Sequence, residues 1–135
     1  MESLPKISEY MDRVVPTLRP DTHILDSVDF LLKHQVTGAP VVDSGEKLVG
    51  MITETDLLKL ITEGIHGEPP SKETVAEYMT TDVITISPDV DIYYVAGMFL
   101  ANKFRRLPVV NNERIVGAIT RYDLLRVVRK LLEVA

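Results

Sequence analysis

The heptad GMITETD, residues 50–56, returns as GAITRYD, residues 117–123. Each reads Gly, any residue, Ile, Thr, two variable residues and Asp, and each runs on into a Leu-Leu pair, Leu57-Leu58 and Leu124-Leu125. The match extends far upstream. With the chain shifted by 68 positions, Tyr10-Met11 lands on Tyr78-Met79, Val15 on Val83, Thr17 on Thr85 and Pro20-Asp21 on Pro88-Asp89. Ile24 lands on Ile92, Leu32 on Leu100 and Pro40-Val41-Val42 on Pro108-Val109-Val110. Past that point the shift is 67, because DSGEK in the first copy faces NNER in the second. Both are turn compositions, where losing a residue costs least. The chain is an internal duplication over roughly residues 7–60 and 75–127, so one copy can be read and applied twice.

Val14-Val15-Pro16-Thr17-Leu18 and Val83-Ile84-Thr85-Ile86 are short β-branched runs that read as strands, the first made irregular by Pro16. The Asp21 and Asp89 that follow are expected N-caps. Ile24, Leu25, Val28, Leu31 and Leu32 keep helical spacing, as do Ile92, Val95, Ala96, Phe99 and Leu100. Pro40–Val42 with Leu48–Ile52, and Pro108–Val110 with Ile115–Ile119, read as hairpins. Thr53 and Thr120 then start helices running to about Leu60 and Leu132. A short helix is expected from Ser71 to about Tyr78, and Glu63–Pro70 reads as linker. The expected fold is α+β (mixed α/β): two pseudo-twofold-related β-α-β-β-α repeats packed through their sheets. The first repeat, with an N-terminal helical segment, spans 1–62, the linker 63–74 and the second repeat 75–135. Neither copy alone has much core, and pairing them buries both apolar faces.

Composition narrows function mainly by exclusion. Among 135 residues, 45% hydrophobic and 26% charged is ordinary for a soluble globular chain. Fifteen basic against twenty acidic residues gives a net charge of −5, which argues against nucleic-acid binding. With no Cys, disulfides, thiol nucleophiles and Cys-ligated zinc are excluded. His23, His34 and His66 share no ligand-like spacing, so no metal is expected. The N-terminus lacks secretory-signal character and nothing approaches a membrane span, so a cytoplasmic location without membrane contact is expected. There is no Walker-type loop, no glycine-rich dinucleotide turn and no Ser/His/Asp set, so no enzyme activity is expected.

The doubled order of motifs resembles a tandem pair of CBS domains, a Bateman module. The features that carry it are a Met ahead of the first strand, a strand Thr followed by Pro, a Pro-Val-Val strand, and the closing Gly-x-Ile-Thr-x-x-Asp-Leu-Leu. With no further domain in the chain, the resemblance is to the stand-alone form. It implies binding of adenine-nucleoside ligands (AMP, ADP, ATP or S-adenosylmethionine) in clefts between the repeats, with no cofactor required. Position by position, it implies ribose contacts from Thr53 with Asp56 and from Thr120 with Asp123. The adenine walls would come from Val15, Thr17, Ala39 and Pro40, and from Val83, Thr85, Leu107 and Pro108. Arg105 would face phosphate, with Arg106 and Arg121 near. The resemblance further implies a homodimer and a regulated protein partner.

The chemistry of these residue types agrees. A carboxylate accepts from both vicinal ribose hydroxyls in charge-assisted bonds. Helix starts favour anions, and the Arg fork suits phosphate. Arg105-Arg106 replaces Thr37-Gly38, and Arg121 replaces Glu54, so one site is expected to favour phosphate more than the other; which cleft receives each Arg is open. Simpler readings stand beside these. Thr-x-x-Asp is also close to a capping box. Gly50 and Gly117 can serve close backbone packing or a bulge. The Lys103–Arg106 cluster can be a solvated turn. The whole module can also be a ligand-independent dimerisation or interaction module.

Overall fold

A computed structural model describes residues 5–63 and 73–133. The chain divides into two compact units. One is contiguous, Pro16–Val83; the other joins Met1–Val15 to Ile84–Ala135. The mixed α+β class stands, but the compact units do not follow the repeats as these run along the chain.

In the contiguous unit, helix α1 (Ile24–His34) leads to the antiparallel hairpin β1 (Gly38–Val42) and β2 (Leu48–Thr53), then to α2 (Glu54–Glu63) and the short α3 (Val75–Tyr78). The second unit repeats the order with α4 (Ile92–Ala101), β3 (Arg106–Asn111), β4 (Arg114–Thr120) and α5 (Arg121–Glu133), preceded by a 3-10 turn at Ile7–Glu9. Both expected hairpins are present. The missing residue lies in their turns. Asn112 and Glu113, both at positive φ, make a two-residue turn between the paired Asn111 and Arg114. The longer first turn is held by the Asp43 carboxylate, which accepts from the Gly45 and Lys47 N–H groups.

Two expectations need correction. The runs at 14–18 and 83–86 are not strands; each is reduced to one parallel bridge, Leu18 to Val41 and Ile86 to Val109. Leu18 N–H donates to Pro40 O while Leu18 O accepts from Val42 N–H, and Ile86 bonds Pro108 and Val110 in the same way. Around Leu18 the prolines at 16 and 20 have no N–H to carry the ladder further, and Pro88 ends the second run. Nor are Asp21 and Asp89 N-caps. The Pro-Asp pairs instead occupy tight turns, closed by Thr22 N–H to Arg19 O and Val90 N–H to Ser87 O. The caps come two residues later. His23 accepts from Leu25 N–H and Asp91 from Tyr94 N–H.

The two cores are built from matched positions. Leu18, Ile24, Leu31, Ala39, Val41, Ile52 and Val75 form one. Ile86, Ile92, Phe99, Leu107, Val109, Ile119 and Ile7 occupy the corresponding places in the other, joined by Met11, Val95 and Val127. The last pair, Val75 and Ile7, shows how segments are exchanged. Residues 5–12 open the first copy yet pack on the second: Ile92 N–H donates to Pro5 O, Ile7 N–H to Val90 O, and Asp12 and Ala118 exchange two backbone bonds. Residues 73–80 open the second copy yet pack on the first: Ile24 N–H donates to Glu73 O, Val75 N–H to Thr22 O, and Thr80 and Met51 exchange two bonds. The expected short helix is seen as Val75–Tyr78; its start at Ser71 and most of the 63–74 linker lie outside the described residues.

Candidate functional site

Each heptad ends a hairpin and starts a helix, so its Thr and Asp are fixed by both. Thr53 is the last residue of β2 and Asp56 lies in the first turn of α2. Thr53 N–H and Thr53 Oγ1 both donate to Asp56 Oδ2 at 2.9 Å, and Asp56 N–H returns to Thr53 Oγ1 at 3.4 Å. In the second copy Thr120 N–H and Oγ1 donate to Asp123 Oδ2 at 2.9 and 3.0 Å, and Asp123 N–H returns at 3.2 Å. This is the capping-box geometry with Asp in place of Glu. Both aspartates are buried, at 6% and 7% exposure, and among the described residues they are the only buried charged side chains. Burial of a carboxylate is costly unless it is hydrogen-bonded, and the Thr donors supply that. One oxygen of each is thereby occupied, in the same way in both copies.

The other oxygen is held differently in the two copies. Asp56 Oδ1 accepts from Thr80 Oγ1 at 3.1 Å. Asp123 Oδ1 accepts from Arg126 Nη2 at 2.7 Å, and the same nitrogen also bonds Tyr10 O at 2.9 Å. Sequence reasoning missed both partners. The residue matching Thr80 in the first copy is Asp12, whose Oδ1 accepts from Val14 N–H. Arg126 is three residues after Asp123, a generic helical spacing that carries no signal of its own.

The glycines that open the heptads are explained by the exchanged segments. A Cβ on Gly50 would stand 2.6 Å from Met79 Sδ and 3.0 Å from Thr80 O; on Gly117 it would stand 2.6 Å from Met11 Sδ and 2.8 Å from Asp12 O. The close-packing reading of these glycines holds.

The remaining site residues divide by unit. With Asp56 are Thr17, Ala39, Pro40 and Val83; with Asp123 are Val15, Thr85, Leu107, Pro108 and the three arginines. Ala39 and Leu107 belong to the cores. Pro40 and Pro108 are buried in β1 and β3, Val15, Thr17 and Val83 are half-buried, and Thr85 is exposed. Arg121 is turned to backbone: its Nε donates to Phe104 O, its Nη2 to Phe99 O and Asn102 O, and the guanidinium lies 5.4 Å from the Phe99 ring centroid. Arg106 is half-buried on β3 opposite Thr120, and its enclosed Nε has no hydrogen-bond partner. Arg105 is exposed. Beside the Asp123 unit's helix, residues 9–11 and the Arg126–Glu133 face of α5 enclose an open cleft of about 380 Å³. Among the described residues no group of three or more His, Asp or Glu is placed to hold a metal, and no helix is long and apolar enough to cross a membrane.

Comparison with known proteins agrees with this architecture. The CBS domain family matches residues 7–63 and 75–130, and the chain belongs to that family. It is 34% identical over 120 residues to the uncharacterized protein MJ1225 of Methanocaldococcus jannaschii; the match takes in 89% of this chain but 41% of that protein. The structure of CBSX2, an Arabidopsis thaliana CBS-pair protein, solved in complex with AMP, superposes with a TM-score of 0.79 at 27% identity, covering 93% of this chain and 97% of that one. The CBS domain pair of protein MJ0100, in complex with 5′-methylthioadenosine and S-adenosyl-L-methionine, gives 0.79 at 28% identity, covering 95% and 98%.

Proposed function

We propose that this CBS pair is a regulatory sensor, not an enzyme, and that it binds adenine-nucleoside ligands such as AMP, ADP, ATP or S-adenosylmethionine. The observation that carries the reading is the pair of buried carboxylates, Asp56 and Asp123, each preset by its own Thr at the start of a helix. A preset carboxylate has lone pairs left for vicinal ribose hydroxyls and needs no reorganisation to use them. Similar CBS pairs solved with AMP and with S-adenosylmethionine support the ligand class. Thr53 with Asp56 and Thr120 with Asp123 take the ribose. Val15, Thr17, Ala39, Pro40, Val83, Thr85, Leu107 and Pro108 are the proposed adenine walls. Arg105 and Arg106 are the proposed phosphate contacts; Arg121, committed to three carbonyls, adds its charge. Ligand changes the packing of the repeats, and a second copy of the chain or a protein partner in the cytoplasm reads the change.

Ligand at 100 times its dissociation constant adds about 2.7 kcal/mol to the folded state. A thermal-shift screen of ligand-stripped protein with AMP, ADP, ATP and S-adenosylmethionine therefore shows a rise of several degrees for at least one. No shift with any of them refutes the reading. Asp56→Asn and Asp123→Asn, which keep the shape of the cap, weaken binding; if both leave it unchanged, the ribose assignment is wrong.

A second reading has its own observation. Large apolar side chains stand exposed along the helices: Leu25 and Leu32 on α1, Leu58 and Ile61 on α2, Tyr93, Tyr94 and Leu100 on α4, and Tyr122, Leu125 and Leu132 on α5. Such faces suit association with a second copy. Sedimentation with and without nucleotide separates the two readings: a dimer indifferent to every ligand favours an interaction module alone.

A further inference from the structure

The two aspartates share every bond but one, and that bond differs in charge. We infer that Arg126 makes the Asp123 site selective for phosphorylated adenine nucleosides, while the Asp56 site takes uncharged or cationic ones. The inference rests on the nucleoside reading above and names the ligand class for each of its two sites.

Thr80 gives Asp56 a neutral hydroxyl at 3.1 Å, and among the described residues no ion pair brings a compensating charge to it. Arg126 gives Asp123 an ion pair at 2.7 Å, with the carboxylate side chain 10% exposed. A buried, compensated carboxylate still accepts hydrogen bonds from ribose, yet it no longer repels an anion held a few ångströms away. An uncompensated one repels phosphate and favours a neutral or positively charged substituent at the same place. Arg121, the residue after Thr120, adds positive charge in the same direction. Asp12 opposes it, since it stands where the other unit has Thr80. Its carboxylate is exposed and turned to Val14 N–H, so solvent screens it, whereas Arg126 bonds the buried Asp123 directly. Arg126 is thus a specificity-determining residue through the aspartate it neutralises.

The test titrates the full chain with AMP and with adenosine, which differ only in the phosphate, by calorimetry at low salt. Asp56→Asn isolates the Asp123 site and Asp123→Asn isolates the Asp56 site, with circular dichroism melting confirming that each variant is folded. The AMP-over-adenosine preference is expected to be about tenfold greater in Asp56→Asn than in Asp123→Asn, the scale of one charge acting at the dielectric of a protein surface. Adding Arg126→Gln to Asp56→Asn lowers that preference about tenfold through AMP alone; Arg126→Lys retains most of it. An equal preference at the two sites overturns the inference, as does an Arg126→Gln variant that weakens both ligands alike, which is what a merely structural role gives. Absence of saturable binding by either ligand to the unmodified chain refutes the nucleoside reading itself and the inference with it.

Discussion

Gly117→Ala tests the packing that joins residues 5–12 to the second hairpin. The new methyl would meet Met11 Sδ at 2.6 Å and Asp12 O at 2.8 Å. The sulfur sits on a flexible side chain and can move. The carbonyl oxygen cannot, because Asp12 O accepts from Ala118 N–H and Asp12 N–H donates to Ala118 O, both at 2.9 Å. The clash is relieved only by stretching that bridge. Overpacking a tight site costs about 1–3 kcal/mol, and weakening one or two backbone bonds adds to it. The expectation is the upper end, about 3 kcal/mol, or about 9–12 °C in melting temperature for a chain of this size. Gly50→Ala, whose carbonyl contact is 3.0 Å, is expected to cost less, about 2 kcal/mol. The assay is urea unfolding followed by circular dichroism, since the chain has no Trp. Met11→Ala in the Gly117→Ala background separates the two contacts: the double variant recovers the sulfur part of the cost, a coupling of about 1 kcal/mol, and leaves the carbonyl part. If Gly117→Ala lies within about 0.5 kcal/mol of the parent, in the range of ordinary surface changes, the exchange of residues 5–12 is wrong.

Other outcomes follow from single contacts. Arg121→Met removes three bonds to carbonyls and the Phe99 stacking; it is expected to lower stability by about 1–2 kcal/mol in thermal unfolding, and an unchanged melting temperature contradicts the bonding described. Thr80→Val removes the Asp56 Oδ1 bond and costs about 1 kcal/mol by urea unfolding, whereas the same change at exposed Thr81 has almost no effect. Leu107→Ala, at a core position 1% exposed, costs about 3 kcal/mol. Hydrogen exchange should show that loss in β3 and β4 before β1 and β2; equal loss in both hairpins would refute the division into units.

What could be read in the sequence, and what could not, follows from how each feature is encoded. The duplication, the hairpins and the helix starts at Thr53 and Thr120 are local patterns repeated in order, so they were legible. The leading strands are absent although β-branched residues around Pro16 look like a strand, because the missing N–H groups leave the ladder without partners. Asp21 and Asp89 sit in turns and not at caps, and Asp suits both, so the residue type alone does not decide between them. The exchange of residues 5–12 and 73–80 was not legible for a deeper reason. Ile7 and Val75 carry the same apolar signal whichever hairpin they cover, so a repeat pattern is unchanged by swapping. At the candidate site, the Thr and Asp of each heptad stand out by duplication. Thr80 and Arg126 do not, because they are unlike each other and hold the same oxygen from unmatched positions.

That exchange gives the two units unequal tasks. In the contiguous unit the closing bridge joins Met51 to Thr80, whereas in the other it joins Asp12 to Ala118, across almost the whole chain. Loop-closure entropy grows with the logarithm of that span, so the second closure costs about 1 kcal/mol more. The cores differ in the compensating direction. Phe99 stands for Leu31, Leu107 for Ala39 and Val95 for Ser27, each pair at matched, buried positions. The Leu107 difference alone adds three buried carbons, worth about 2 kcal/mol. Ser27 is fully buried and donates its hydroxyl to Ile24 O, so the contiguous unit gives up apolar volume there that the other unit keeps. The larger side chains thus lie in the unit that must be assembled from the two ends of the chain, and they more than offset the longer closure.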